Sequence, residues 1–88
     1  MQSTKIITAK VKRIELTTPR GLVIRGTIIV EAHMNVWSTA SNRYAEVVRV
    51  SHVCCLTSVA EHQISWTSLS WANRHLITKA LEDKALAA

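Results

Sequence analysis

The chain has 88 residues, 48% hydrophobic and 19% charged, with a formal net charge of +5. This length makes one domain of modest stability, since a chain so short buries only about 60–65% of the surface its unfolded form exposes. The composition excludes a disordered polymer. With no signal peptide at Met1–Lys12 and no 18-residue apolar run, the chain is expected to be cytoplasmic and to avoid the membrane.

The positive charge is unevenly placed. Up to Arg25 the chain carries Lys5, Lys10, Lys12, Arg13, Arg20 and Arg25 against Glu15 alone; beyond it, basic and acidic side chains balance. A basic surface of this kind attracts phosphate or an acidic protein. It equally solubilises an edge strand, where lysine blocks edge-to-edge aggregation.

The first strand is expected over about residues 4–16. Ile7, Ala9 and Val11 share one face, while Ile14 and Leu16 fall in the opposite phase. A bulge near Lys12–Arg13 would bring all five to the core and push both basic side chains outward. Thr18-Pro19-Arg20-Gly21 then reads as a type I turn followed by a left-handed glycine, closing a hairpin. Glu15 should face Arg25 on the wet side, and Ile14 and Leu16 should face Gly26 and Ile24 on the dry side.

The second strand, about 22–36, is the organising element. Leu22, Ile24, Gly26, Ile28, Val30, Ala32, Met34 and Val36 alternate with Arg25, Thr27, Glu31, His33 and Asn35. One face is therefore dry and the other wet, as in the central strand of an antiparallel sheet.

Ser38 to Asn42 is a polar loop. A third strand follows over about 43–57, with Tyr44, Val48, Val50, His52, Cys54 and Leu56 expected inward and Arg43, Arg49 and Ser51 outward. Residues 58–68 carry two readings. Ser58-Val59-Ala60-Glu61 fits a capping box that opens a short helix, and His62–Thr67 fits a fourth, edge strand. A helix is expected over about 68–86, capped by Thr67 or Ser68. Its apolar stripe would be Leu69, Ala72, Leu76, Ala80 and Ala87, with Ile77 at the edge and Trp71 nearly opposite, beside Arg74, His75 and Thr78. The fold class is thus α+β: a three- to four-stranded antiparallel meander with one C-terminal helix packed on one face.

Four sets of residues invite function. Lys10, Lys12, Arg13, Arg25 and Arg49 should project from the wet face, with Arg20 at the turn, and would bind nucleic acid or an acidic partner. Glu15, Glu31 and Glu46 interrupt this patch, and the aromatic platform of a single-strand binder is not expected on it, because Trp37 and Trp66 read as core or core rim. Trp71 with Arg74 and His75 resembles an interface anchor in composition, although Trp71 could instead pack on residues 58–67.

His33, His52, Cys54 and His62 offer thiol and imidazole donors. Their spacing does not match a zinc site, there is no C-x-x-C, and His33 is expected opposite roughly Val47, so no metal is expected. Cys55 beside a histidine could form a nucleophile–base pair, but a strand-interior cysteine is normally inert. The only glycines are Gly21 and Gly26, too few for a phosphate-cradling loop. We expect no enzyme and no cofactor. The expected role is binding of nucleic acid, or of a protein complex that handles it, through the basic hairpin or Trp71. The chain's small size equally suits a phage-encoded inhibitor of a host enzyme or defence complex, and an unpaired strand edge would suit a homodimer or other homo-oligomer.

Overall fold

The computed structural model describes residues 2–17 and 20–87. Four antiparallel strands form a meander in the order β1-β2-β3-β4: β1 Gln2–Thr17, β2 Val23–Ser38, β3 Arg43–Leu56 and β4 Glu61–Gln63. A 3₁₀ turn at Trp66–Ser68 leads to one helix, α1, Trp71–Ala87, which packs on one face of the sheet. The expected α+β fold is therefore the observed one.

The alternation of β2 sets which face is dry. Ile28, Val30, Ala32, Met34 and Val36 are buried, while Ile29, Glu31, His33 and Asn35 between them are partly exposed. Leu22 lies ahead of the strand and is exposed. The helix covers the dry face.

The β1–β2 hairpin has the expected register. Leu16 pairs with Ile24, Glu15 with Arg25 and Ile14 with Gly26, and the ladder shifts between Val11 and Ile14. Arg13 absorbs that bulge with φ +59°, a left-handed conformation that costs a non-glycine residue about 1–2 kcal/mol. The result is that Ile7, Ala9, Ile14 and Leu16 are all buried and Val11 packs beside them. Thr18 and Pro19 of the turn lie outside the described residues; Gly21 has the positive φ, +84°, expected of it.

In β3 the expected phase is overturned. The strand carries two irregularities against β2, one between Glu31 and Ala32 and one between His33 and Met34, so Ser51 and Val48 each fall in an extra position. Each inserted residue inverts the side-chain phase beyond it. The residues that pack into the core are accordingly Ala45, Val47, Val50, Val53 and Cys55. Of the six even positions expected inward, only Val50 packs into this core. Tyr44, His52, Cys54 and Leu56 follow the opposite face, and His33 lies opposite Arg49 rather than Val47.

In residues 58–68 the structure has a short fourth strand, Glu61–Gln63, rather than a capping-box helix, but the strand expected over His62–Thr67 stops at Gln63 and Trp66–Ser68 form the 3₁₀ turn. Thr57 accepts the Ala60 N–H on its hydroxyl at 3.1 Å, and its own N–H donates to the Ala60 carbonyl at 2.9 Å. This closes a hairpin that lays Glu61–Gln63 against Cys54–Leu56. A capping-box helix at Ser58 would have carried the chain away from that pairing.

The helix also differs from its expected outline. Thr67 and Ser68 belong to the 3₁₀ turn, and the cap is Ser70, whose hydroxyl accepts the Asn73 N–H at 3.2 Å. The buried stripe is Ile77, Leu81 and Ala85. Leu69 is buried from outside the helix, so the wheel drawn through it was rotated; Ala72 and Leu76 are exposed. Each end of α1 is tied to the sheet. Asn73 Nδ2 donates to the Glu15 carbonyl at 3.2 Å, and the Arg43 guanidinium donates to the Leu86 carbonyl at 3.1 Å. The second contact satisfies a carbonyl of the last turn with a cation, which the helix dipole favours. Among the described residues, no helix is long and apolar enough to cross a membrane.

Candidate functional site

Among the described residues, no element packs on the face of the sheet opposite α1. The composition of this face follows from the register. Across the strands at one end, Trp37 of β2 lies opposite Tyr44 of β3, their rings stacked at 5.3 Å with 20° between planes. Next come Thr4, Asn35 and Glu46, where Thr4 Oγ1 bonds Asn35 Oδ1 at 3.0 Å. Then Ile6, His33 and Arg49 align, with Arg49 Nη2 3.1 Å from His33 Nε2. Glu31 and His52 follow, and the Ser51 hydroxyl lies 3.1 Å from the Glu31 carboxylate. Beyond them Lys10, Ile29 and Cys54 align, and then the β1 bulge with Lys12 and Arg13. Near the turn Arg25 meets Glu15 at 3.1 Å, an exposed pair that contributes little to stability.

All five cations expected on this face are exposed: Lys10, Lys12, Arg13, Arg25 and Arg49; Arg20 is exposed at the turn. Lys10, Lys12, Arg13 and Arg25 gather toward the hairpin end, Arg49 stands mid-face, and Arg25 is drawn toward Glu15. The aromatic pair was missed. Trp37 read as core or core rim, and the inverted phase hid Tyr44, which is exposed. The odd position of Trp37 on β2 was the one available signal that it faces away from the core.

Trp71 is 74% exposed at the first turn of α1. Its indole stacks on His75 at 5.4 Å with 12° between planes. Together with Trp66, Arg74 and Thr78 the pair lines one hollow. This is the neighbourhood expected from the helical wheel. Arg74 Nε is shut away from solvent with no hydrogen-bond partner. Trp66 packs against the core.

The two cysteines are free and point to opposite faces. Cys55 sits in the core, and burial pushes its thiol above the ordinary value. Cys54 is buried on the open-face side. Its thiol is raised first by burial and then by the Glu61 carboxylate beside it. Of the four residues weighed as metal donors, the structure brings together His52 and Cys54. Glu61 completes a group whose donor atoms lie within 4.8 Å of one another. His33 is held by Arg49, and His62 pairs with Cys55, on the helix side of the sheet. Glu61 could not be placed from the sequence because it belongs to the segment with two readings. No protein-family model, no curated protein and no solved structure matches this chain.

Proposed function

We propose that the protein binds nucleic acid through the open face of its sheet, with single strands as the preferred form. The observation that carries this reading is the uncovered face itself, which combines five exposed cations with the stacked Trp37–Tyr44 pair. Lys10, Lys12, Arg13 and Arg49 would meet phosphates, and Tyr44, with the edge of Trp37, would offer a surface on which an unpaired base stacks. Of the acidic residues on the face, Glu15 pairs with Arg25, Glu31 accepts a hydrogen bond from the Ser51 hydroxyl, and Glu46 lies toward the aromatic end, away from Lys10, Lys12 and Arg13. No reacting group is required by this reading, and a cytoplasmic location belongs to it.

The test is fluorescence anisotropy with labelled single-stranded and duplex oligonucleotides of mixed sequence. Replacing Lys10, Lys12 and Arg25 together by Glu should abolish binding of both. Trp37→Ala should weaken the single strand by about 1–3 kcal/mol and leave the duplex nearly unchanged. Equal binding by wild type and the charge-reversed protein would rule the reading out.

A second reading rests on Trp71. An indole this exposed, beside Arg74 and His75, suits the centre of a protein interface. It calls for a protein complex as partner, with weak salt dependence and a large loss on Trp71→Ala.

A further inference from the structure

We propose that His52, Cys54 and Glu61 form a binding site for a single divalent zinc-like cation at the β3–β4 edge of the open face. The three donors come from two strands whose pairing fixes their relation. His52 and Cys54 are two residues apart on β3 and so share a face. Glu61 opens β4 opposite Leu56, two pairs along from Cys54 and its partner Gln63, and so falls on the same face as the thiol. The hairpin between the strands is short and closed by the Thr57–Ala60 hydrogen bonds, which hold Glu61 beside the thiol.

The chemistry of the donors selects the ion. Imidazole, thiolate and carboxylate are the zinc-binding set, whereas magnesium and calcium take oxygen donors. A tetrahedral ion with bonds of about 2.0–2.3 Å needs its donors roughly 3.3–3.7 Å apart. The observed donor atoms lie within 4.8 Å of one another. Closing the rest needs only small side-chain rotations, and His52 and Glu61 stand exposed where they can make them. Cys54 is the fixed member. It is buried but lies outside the core cluster, so its sulfur is a floor beneath two movable donors. On ligation the thiol gives its proton to solvent, and thiolate and carboxylate together balance the charge of the ion. Three protein donors leave a fourth position for water.

The site is independent of nucleic-acid binding, and its test uses the metal alone. The full chain, purified with chelator and reductant and then freed of both, is titrated with Co²⁺ and then with Zn²⁺. The expected result is one Co²⁺ per chain, with a thiolate-to-cobalt charge-transfer band and tetrahedral visible absorption, both erased by one equivalent of Zn²⁺. Cys54→Ser should remove the charge-transfer band. His52→Ala and Glu61→Gln should each weaken Co²⁺ binding by more than the roughly 10–100-fold that loss of an outer hydrogen-bond partner costs. Both residues are exposed, so these two variants remain informative if Cys54→Ser fails to fold. His33→Ala and His62→Ala should leave the titration unchanged. The proposal is overturned if no charge-transfer band forms, or if affinity is unchanged in both His52→Ala and Glu61→Gln.

Discussion

Gly26→Ala should be among the most damaging single-methyl changes in the sheet. Gly26 lies on the dry side of β2, paired with Ile14, where the end of β3 crosses it. A Cβ at this position would collide with the Leu56 carbonyl oxygen and lie 3.1 Å from Cys55 Sγ. Neither neighbour yields easily, since one is backbone and the other is a fully buried side chain. Overpacking of this kind costs about 1–3 kcal/mol. Moving Leu56 also disturbs the pairing of β4, whose ladder hydrogen bonds are worth about 0.5–1.5 kcal/mol each. Alanine returns about 0.4–1 kcal/mol by restricting the unfolded chain. The expected net loss is therefore about 2–3 kcal/mol, a drop in Tm of roughly 8–24 °C for a domain of this size. Gly21→Ala is the control, because a Cβ there meets nothing within 4 Å and suffers only the strain of φ +84°; it should cost about 1 kcal/mol. Thermal and urea unfolding followed by far-ultraviolet circular dichroism would measure both. A Gly26→Ala protein as stable as Gly21→Ala would refute the reasoning.

Three further outcomes follow from the packing. Leu81→Ala should cost about 2–5 kcal/mol and Leu76→Ala no more than about 0.5 kcal/mol, as read by urea midpoints; the reverse order would restore the helical stripe expected from the sequence. Arg13→Gly should raise stability by about 0.5–1 kcal/mol, because glycine relieves the strain at φ +59° but frees the unfolded chain; a loss would mean that the bulge lies elsewhere. Cys55 binds its proton more tightly folded than unfolded. Its contribution is therefore fully present below the unfolded thiol value of about 8.5 and fades as pH rises past it. Urea midpoints between pH 7.5 and 9.5, with chelator present, should fall less for Cys55→Ala than for wild type.

The hairpin was legible because four independent signals agreed: the phase change in β1, the turn residues, the Glu15–Arg25 pairing and the unbroken alternation of β2. Those signals are local, and local rules decide them. What was not legible depends on long-range fit. Two extra residues in β3 leave no mark in composition, yet each one flips every side chain beyond it. That is why Tyr44 was assigned to the core and why the aromatic pair with Trp37 went unseen. The helical stripe failed for a similar reason. Leu69 has the right character for α1 but precedes the cap at Ser70, so a wheel drawn through it points the wrong way. Leu81, wholly buried, lies off the stripe that Leu69 defines. On the open face, Arg49 was placed correctly because it lies between the two irregularities, where the assumed phase happens to hold. The neighbourhood of Trp71 was also placed correctly, since residues three and four apart on a helix meet whatever the starting point. The His52–Cys54–Glu61 group required a strand the sequence left undecided.

The most direct test of the open-face account is the salt dependence of binding to a single-stranded oligonucleotide. With Lys10, Lys12, Arg13 and Arg49 each neutralising a phosphate, the slope of log K against log salt should be about −3. Replacing Lys10, Lys12 and Arg49 together by Ala should flatten it to about −1 while Trp71→Ala leaves it unchanged. A slope near zero in the wild type, or one that the triple replacement does not alter, would contradict the account.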